Sequence, residues 1–433
     1  LGGKHPNVLA VNSPHTPNQE SFNYFELAEK ISALAFLFTN LGLKDGEVVS
    51  LFAENSPRWL IVDQAVMRCG AANAVRGTSA PVNELRYILE DSSSIGLVIQ
   101  NSDLWSDLAL SEDQKNQLKF VIQLEGQTDD EGVISWEDLW KKTLDNSFQR
   151  KSFGNSTSSS VATILYTSGT TGKPKGVPLT HQNLLHQIKA LACVANPSPG
   201  SPILSVLPIW HAYERSAEYY FFSCGCTQHY TNIKNFKQDL QRVCPVVMAT
   251  VPRLWEAVQL GFDDAVNKMP SLKKLVLRRA LKNSSAYKLA LRISRGLIIQ
   301  NVSSARRLVA KIESIFRWPL HSLASIFLWR TVRKQLTGGQ LFFPINGGGA
   351  IAPHVDLFFE AVGIELLVGY GLTETSPVLS CRRPWHNVRG TSGSPLPDTE
   401  FRIIDQETGF SKEYRQKGKV FARGPQVMSG YLG

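Results

Sequence analysis

Apolar residues along the chain alternate between two spacings, one typical of helices and one typical of buried strands. Residues 21–42 carry apolar side chains at helical spacing and end at Gly42, and the apolar run "GEVVSLFA" that follows has the composition of a strand. The same order recurs at "YILEDSSS" and "IGLVIQ". Helices that alternate with strands in this way predict an α/β fold whose sheets are doubly wound and largely parallel.

Two changes of pattern divide the chain into three predicted units. The polar stretch "GNSTSSS" at 154–160 begins the second of two α/β subdomains, which we place at 1–153 and 154–385. The second subdomain contains a basic helical insertion at 263–337. From 386 to 433 the helical patterns stop, and Gly, Pro and short alternating runs predict a β-rich subdomain.

The cysteine spacing, the apolar runs and the chain ends bear on the protein's environment and on whether the sequence is a fragment. Six cysteines are scattered without a Cys-x-x-Cys pair, so neither a disulfide framework nor a zinc site is indicated, and a reduced intracellular setting fits best. No apolar run reaches the roughly 20 residues that cross a bilayer. The chain opens on Leu1 and stops at "SGYLG" in mid-pattern, so we expect a fragment and conclude nothing about targeting peptides.

The net charge of +9 comes from one segment of the chain. Between Lys268 and Lys334 there are 16 Lys or Arg residues and a single acid, Glu313. Within this basic segment, "RRLVAKIESIF" places Leu308 and Ile312 on one helical face. A basic amphipathic helix indicates an anionic membrane surface or an acidic protein such as a carrier protein, and nucleic acid is disfavoured because no known nucleic-acid-binding motif accompanies the charge. The alternative is a helix that packs its apolar side on the core.

The stretch "YTSGTTGKPKG" at 166–176 carries the most specific chemistry. It follows the apolar strand "VATILYT" and precedes the helix "THQNLLHQIKALACVA", for which Thr180 is the expected cap. We therefore expect a strand-to-helix loop whose N–H groups face an anion. Its glycines, hydroxyls and two lysines suit a polyphosphate. The spacing is not that of a Walker A loop, because Pro174 follows Lys173. A flexible Ser/Thr/Gly turn without function is the alternative.

The same stretch closely resembles the phosphate-binding signature of the adenylate-forming superfamily, which includes acyl-CoA synthetases, firefly-luciferase-like enzymes and the adenylation domains of peptide synthetases. Further stretches resemble the family's segments in the family's order: "LPIWHAYE", "NGGGAIAP", "GYGLTETSP" and "GPQVMSGYLG". The stretch "AVRGTSAPVNELRYIL" and the long basic segment are similar to the long-chain group, in particular the cyanobacterial and plastid acyl-CoA or acyl–acyl-carrier-protein synthetases.

This resemblance implies a fold and a reaction. The implied fold has two doubly wound α/β subdomains and a distorted β-barrel-like unit, followed in the family by a hinge and a small C-terminal domain that would lie beyond Gly433. The implied reaction uses ATP and Mg²⁺ to convert a long-chain fatty acid to acyl-adenylate, releases pyrophosphate, and transfers the acyl group to CoA or acyl carrier protein. The alternatives are a non-catalytic module that binds acyl-adenylate or lipid, and adenylation of an aromatic or amino acid. The expected location is the cytoplasm, or the plastid in a plant, with peripheral membrane contact.

The resemblance also assigns site residues, position by position. The expected ligands of the β- and γ-phosphates are Thr167, Ser168, Gly169, Thr170, Thr171, Gly172, Lys173 and Lys175. The expected residues around adenine, the α-phosphate and Mg²⁺ are Gly348, Gly349, Ala350, Tyr370, Gly371, Thr373 and Glu374, with Thr170 as a second metal ligand. Trp210 and His211 are expected beside the acyl tunnel and the carboxylate. The residues with expected catalytic roles are Thr170, Lys175, His211 and Glu374.

Each assignment has a structural alternative. Glu374 alone could be a surface carboxylate, Tyr370 a core aromatic residue, and the Trp210–His211 pair a packing element at the edge of a sheet. No role is assigned to Glu214 or Arg215.

Overall fold

The computed structural model describes residues 2–17, 19–144, 156–167, 172–413 and 415–433. The strands are β1 Leu9–Asn12, β2 Ser21–Asn23, β3 Val48–Phe52, β4 Ala72–Arg76, β5 Gly96–Ile99, β6 Phe120–Gln123, β7 Val133–Ser135, β8 Val161–Thr167, β9 Lys175–Thr180, β10 Pro202–Ser205, β11 Thr227–Tyr230, β12 Val247–Thr250, β13 Phe343–Asn346, β14 Leu367–Gly371, β15 Val378–Cys381, β16 Ser394–Pro395, β17 Glu400–Ile404 and β18 Lys419–Arg423.

The helices alternate with these strands as the apolar pattern predicts. They are α1 Tyr24–Asn40, α2 Pro57–Arg68, α3 Val82–Asp91, α4 Ser102–Leu108, α5 Glu112–Asn116, α6 Trp136–Leu144, α7 His181–Ala190, α8 Ala212–Ser223, α9 Phe236–Val243, α10 Pro252–Asn267, α11 Ser271–Arg295, α12 Ser304–Ala324, α13 Arg330–Thr337 and α14 Pro353–Val362. Short 3₁₀ turns at Leu191–Cys193 and Thr373–Thr375 and a π-helical turn at Ser325–Trp329 complete the helical elements of the described chain.

The first sheet has the order β7-β6-β5-β3-β4-β8-β9 within the described residues. All neighbouring strands are parallel except β8 and β9. Successive residues of β5 enter different cores: Leu97 and Ile99 pack in the cluster that contains Leu85 of α3, whereas Val98 packs in the cluster that contains Phe38 of α1. Helices therefore cover both faces, which is why these strands are continuous apolar runs.

The second sheet has the order β16-β15-β14-β13-β12-β10-β11-β1-β2 in the described part of the chain. Its centre is parallel, and antiparallel pairs form at both edges. β1 pairs with β11, so a segment near the start of the chain joins the sheet of the later half. Strands β8 and β9 conversely belong to the first sheet. The divisions at 153/154 and 385/386 stay a prediction.

The α/β class is confirmed, but the last unit is open. β17 and β18 form a two-stranded antiparallel sheet, and β15 and β16 extend the second sheet instead of joining them. Two paired strands of five residues are too few to close a barrel, so residues 386–413 and 415–433 contain no closed barrel.

A buried ion pair connects the two sheets through α8. Arg215 of α8 pairs with Asp63 of α2, and both side chains are fully buried. Arg215 also donates to Thr163 Oγ1 of β8 at 2.6 Å, and Asn73 of β4 donates to Asp63 Oδ1 at 2.9 Å. Tyr219 donates to the other carboxylate oxygen. This network fixes α8, and with it His211 at the start of the helix, against the first sheet.

The basic insertion is a helical hairpin of α11 and α12. Gly296 ends α11 in a left-handed conformation, and Ser303 caps α12 by accepting from the backbone N–H of Arg306 at 3.2 Å. Arg292 on α11 pairs with Glu360 of α14 at 3.3 Å, which attaches the hairpin to the body of the protein. No helix among the described residues combines the length and apolar character needed to cross a bilayer. All six cysteines are described, and none forms a disulfide.

Candidate active site

A cavity of about 560 Å³ lies at the carboxyl ends of β10, β12, β13 and β14, beside the start of α8. This is the position where open parallel sheets place ligands. The cavity brings together seven of the predicted site residues: Thr167, His211, Gly348, Tyr370, Gly371, Thr373 and Glu374. Six others lie outside its lining: Gly172, Lys173, Lys175, Trp210, Gly349 and Ala350. The predicted ligands Ser168, Gly169, Thr170 and Thr171 lie outside the described residues.

The phosphate-loop candidate connects two antiparallel strands, so the expected strand-to-helix loop is wrong. Thr167 at the end of β8 lies opposite Lys175 at the start of β9. The helix α7 begins only after β9, where Thr180 caps it as expected by accepting from the N–H of Asn183 at 3.2 Å. Val177 and Leu179 of β9 are buried in the first sheet, so an additional strand separates the loop from α7. The N-terminus of α7 therefore does not follow the loop directly, and the anion site predicted there cannot rely on it.

The two lysines of the loop contact aromatic rings of other segments. Lys173 Nζ lies 5.6 Å from the ring centre of Tyr87, and Lys175 Nζ lies 5.1 Å from that of Tyr431. Both lysines are exposed. The rings attract the cations weakly and leave the ammonium groups available to an anion.

Tyr431 lies in the stretch "GPQVMSGYLG" and was assigned no role, but it contacts two of the predicted site residues. Its hydroxyl donates to Glu374 Oε1 at 2.8 Å, and this hydrogen bond raises the pKa of Tyr431. Lys175, Tyr431 and Glu374 therefore form a connected row from the phosphate loop to the predicted metal ligand. The backbone holds the row in place: Met428 N–H donates to the Glu374 carbonyl at 2.9 Å, and Leu432 N–H donates to the Gly176 carbonyl at 2.9 Å.

The predicted adenine side is built on close backbone approaches. A side-chain carbon at Gly371 would lie 1.7 Å from the carbonyl oxygen of Pro377, so only glycine fits there. A side-chain carbon at Gly347 would lie 2.8 Å from the ring of Tyr213, which donates to the Ile345 carbonyl at 2.8 Å. Tyr370 is half-buried and lines the cavity, so its ring is accessible to a ligand.

Trp210 and His211 lie in the segment before α8, but their side chains face different parts of the protein. Asn55 fixes this segment by donating to the Leu207 carbonyl at 2.7 Å and accepting from Ile209 N–H at 2.9 Å. The ring of Trp210 occupies the space where Gly77 has no side chain, so Trp210 packs against the first sheet. His211 lines the cavity, where desolvation by its walls and the charge of Arg76 lower its pKa.

The family follows from the full sequence. The sequence model of a protein family described as AMP-binding enzyme matches residues 2–432. The chain belongs to the AMP-binding enzyme family. The predicted superfamily is therefore confirmed.

Individual relatives add detail to the family assignment. "Probable acyl-activating enzyme 16, chloroplastic" of Arabidopsis thaliana is 39% identical, and the chloroplastic long-chain-fatty-acid–acyl-carrier-protein ligase AEE15 of the same plant is 38% identical. Each alignment covers 99% of this chain, which spans 62% of the length of either relative. The crystal structure of the long-chain-fatty-acid-CoA ligase FadD1 from Archaeoglobus fulgidus is similar with a TM-score of 0.72 at 19% identity, over 99% of this chain and 74% of that one. This similarity supports the fold.

Apart from the predicted site residues, the cavity is lined mainly by apolar side chains, and Glu214 is its one further carboxyl group among the described residues. Its apolar lining includes Leu191, Val194, Ala195, Ala217, Phe221 and Val378. Glu214 lines the same cavity with 2% of its surface exposed, and burial raises its pKa to about 8 although Ser205 donates to it. Glu214 Oε2 has no hydrogen-bond partner within the described residues. The carboxyl is therefore largely protonated at neutral pH.

Substituting Glu214 by glutamine should change how stability depends on pH. The pKa of Glu214 is about 8 in the folded protein, above its ordinary value of 4.5. At low pH both states hold the proton, and as pH rises towards 8 the unfolded state loses it first, so this residue's contribution to stability falls. Wild type should lose stability relative to Glu214→Gln over this range, by at most about 1.4 kcal/mol per pH unit. Urea unfolding of both proteins across the range measures the difference, and a constant difference would contradict a neutral Glu214.

Proposed function

We propose that the protein activates a long-chain fatty acid with ATP and transfers the acyl group to the thiol of CoA or acyl carrier protein. One observation carries this proposal. A single cavity joins the phosphate-loop strand, the segment from Tyr370 to Glu374, and an apolar compartment. The first two parts suit a nucleotide, and the third suits an alkyl chain.

The proposed reaction has two steps. A carboxylate oxygen of the fatty acid bonds to the α-phosphorus of ATP while the bond to the bridging oxygen breaks, and pyrophosphate leaves. The thiolate sulfur of the acceptor then bonds to the acyl carbon while the bond to the AMP oxygen breaks. The first step brings two anions together, so the site must neutralise charge and hold the groups in line.

The described residues divide this work between them. Lys175 and Lys173 offset the charge of the β- and γ-phosphates, and Thr373 lies at the cavity for the α-phosphate. Tyr370 stacks on the adenine. His211 carries a lowered pKa and is neutral at neutral pH, so one ring N–H donates to the fatty carboxylate without forming an ion pair.

The residues around Glu374 fit a magnesium ion that arrives with the nucleotide. No three His, Cys, Asp or Glu residues in the described ranges form a cluster that could hold a metal. Mg²⁺ commonly takes one or two protein oxygen ligands and completes its shell with phosphate oxygens and water. Glu374 supplies a carboxylate at the cavity, and Thr170 is the proposed second ligand. When bound, the ion neutralises phosphate charge as the bond to pyrophosphate breaks.

The names of relatives support the choice of substrate, acceptor and location. One Arabidopsis relative is named a ligase of long-chain fatty acids and acyl carrier protein, and both relatives are named chloroplastic. We therefore propose a long-chain fatty acid as substrate and the plastid as location. Other relatives are named CoA ligases, so both thiols stay candidates for the acceptor.

Transfer of the acyl group to a thiol acceptor distinguishes a ligase from a module that only binds acyl-adenylate or lipid. The complete protein is incubated with palmitate, ATP and Mg²⁺ together with either CoA or acyl carrier protein, and the products are identified by mass spectrometry. We expect a thioester on at least one acceptor. Acyl-adenylate without any thioester would favour a module that makes or captures the adenylate only.

Substituting Glu374 by glutamine should weaken the response to Mg²⁺. The amide keeps the shape of the side chain and can still accept from Tyr431, but it loses the negative charge. Adenylation should fall by about tenfold at low Mg²⁺ and recover in part when Mg²⁺ is raised. Tyr431→Phe is the matched control, because it removes this hydrogen bond but keeps the carboxylate. A Mg²⁺ dependence of Glu374→Gln equal to that of wild type would remove the metal role.

A further inference from the structure

The outer side of α12 is an exposed apolar stripe. We define the apolar stripe as Leu308, Ile312, Ile315, Phe316, Leu323, Ile326 and Phe327. These residues recur at the spacing that places side chains on one face of a helix, and the last two lie in the π-helical turn that continues α12. The exposed fractions run from 48% for Ile312 to 81% for Phe316. A helix of this length extends about 30 Å, so the stripe is far larger than an isolated surface leucine.

The opposite side of α12 is the one that packs on the protein. Ala310, Ser314 and Ala324 are buried there. His321 stacks on Tyr287 of α11 with ring centres 4.4 Å apart and hydrogen-bonds Ser284 at 2.9 Å. The expectation that α12 could pack its apolar side on the core is therefore wrong. Small and polar side chains fill the helix contact, and the large apolar ones face outward.

The segment that carries the stripe also carries many exposed basic side chains. The exposed basic residues of α11, α12 and α13 are Lys273, Arg278, Arg279, Lys282, Arg295, Arg306, Arg307, Lys311, Arg330 and Lys334. Glu313, the single acid of the basic segment, pairs with Arg317 at 2.9 Å on the same helix. The charge is therefore not neutralised within the segment. Trp318, 56% exposed, adds an aromatic residue beside the stripe.

We propose that α12 lies in the plane of an anionic lipid surface, with the apolar stripe among the acyl chains and the basic side chains at the headgroups. An exposed helix with a large apolar face, basic flanks and aromatic residues is suited to this position. Anionic headgroups complement the charge of the flanks, and the acyl chains cover the apolar side chains. This contact goes beyond the proposed reaction and does not depend on it.

Other occupants match the surface less well. A second copy of the chain would bring two strongly positive segments together, and like charges oppose such contact. Nucleic acid would meet the charge but leave the stripe uncovered. An acidic carrier protein would also match the charge, but covering the stripe requires a complementary apolar groove on that protein. A lipid surface satisfies both parts without a matching shape.

The test compares vesicle binding of three variants with wild type. The stripe variant is Ile315→Ser, Phe316→Ser and Phe327→Ser, and its matched control replaces exposed apolar residues outside the basic segment: Phe25→Ser, Ile233→Ser and Trp385→Ser. The charge variant is Arg306→Gln, Arg307→Gln and Lys311→Gln. Binding is measured by co-sedimentation with vesicles of equal parts phosphatidylcholine and phosphatidylglycerol, and with vesicles of phosphatidylcholine alone. Circular dichroism and thermal unfolding confirm that each variant folds.

Wild type and the control variant should bind the mixed vesicles, and high salt should weaken that binding. The stripe and charge variants should each lose roughly tenfold or more in affinity. Wild type should bind the neutral vesicles far less. The proposal is overturned if the stripe variant binds the mixed vesicles as wild type does. It is also overturned if the stripe variant loses only self-association in sedimentation, or only binding to acyl carrier protein, since a second copy or a carrier would then be the occupant.

Discussion

Arg215→Ala should destabilise the folded protein by about 3–5 kcal/mol, because it leaves a fully buried carboxylate without its charged partner. Arg215 and Asp63 have 1% and 0% of their side-chain surface exposed. Arg215 also donates to Thr163 on the first sheet, so the substitution breaks a contact between α8 and that sheet. Urea unfolding of wild type and variant measures the loss of free energy.

A double variant distinguishes the cost of the unpaired charge from the cost of lost volume. Replacing both partners by apolar residues, as Arg215→Met with Asp63→Leu, should recover part of the stability, because it removes the unpaired charge although Asn73 and Tyr219 lose their acceptor. A loss of less than about 1 kcal/mol in Arg215→Ala would mean that water reaches Asp63 and that the pair is not a buried one.

Lys175→Ala and Thr170→Ala should each lower adenylation by roughly a hundredfold, the typical effect of removing one group that stabilises developing charge. Lys175 is exposed at the start of β9, so its truncation should leave the fold intact. The readout is fatty-acid-dependent exchange of pyrophosphate into ATP. Lys189→Ala, an exposed lysine near the end of α7, is the matched control and should behave as wild type. Exchange that is unchanged in both loop variants would exclude the hairpin loop from phosphate binding.

Local features of the fold could be predicted from the sequence because they depend on nearby residues. The apolar spacing of 21–42 predicted α1. Thr180 was predicted as the cap of α7 and is one. Gly371 of "GYGLTETSP" was assigned to the site; the assignment stays a prediction, and the backbone at this position leaves room only for glycine.

Features that depend on distant contacts could not be predicted in this way. The pairing of β1 with β11 joins Val11 to Gln228, and no local pattern signals it. Strand β9 contains Gly176 and Pro178, which are poor strand residues, so the hairpin at the phosphate loop was missed.

Two further features depend on tertiary structure. Helical spacing defined the apolar face of α12, but only the packing of α11 and α12 shows that this face points outward. The contact of Tyr431 with Glu374 links residues 57 positions apart in the chain, and the resemblance of "GPQVMSGYLG" to a family segment did not predict it.

The most direct test of the central claim is acid-dependent exchange of pyrophosphate into ATP by the complete protein. The acids are palmitate, a shorter fatty acid, an aromatic acid and an amino acid, each with ATP and Mg²⁺ and without any thiol acceptor. We expect exchange with the fatty acids, strongest with the long chain, and little with the others. Exchange that requires the aromatic or amino acid would contradict the apolar compartment as a fatty acid site, and no exchange with any acid would contradict adenylate formation itself.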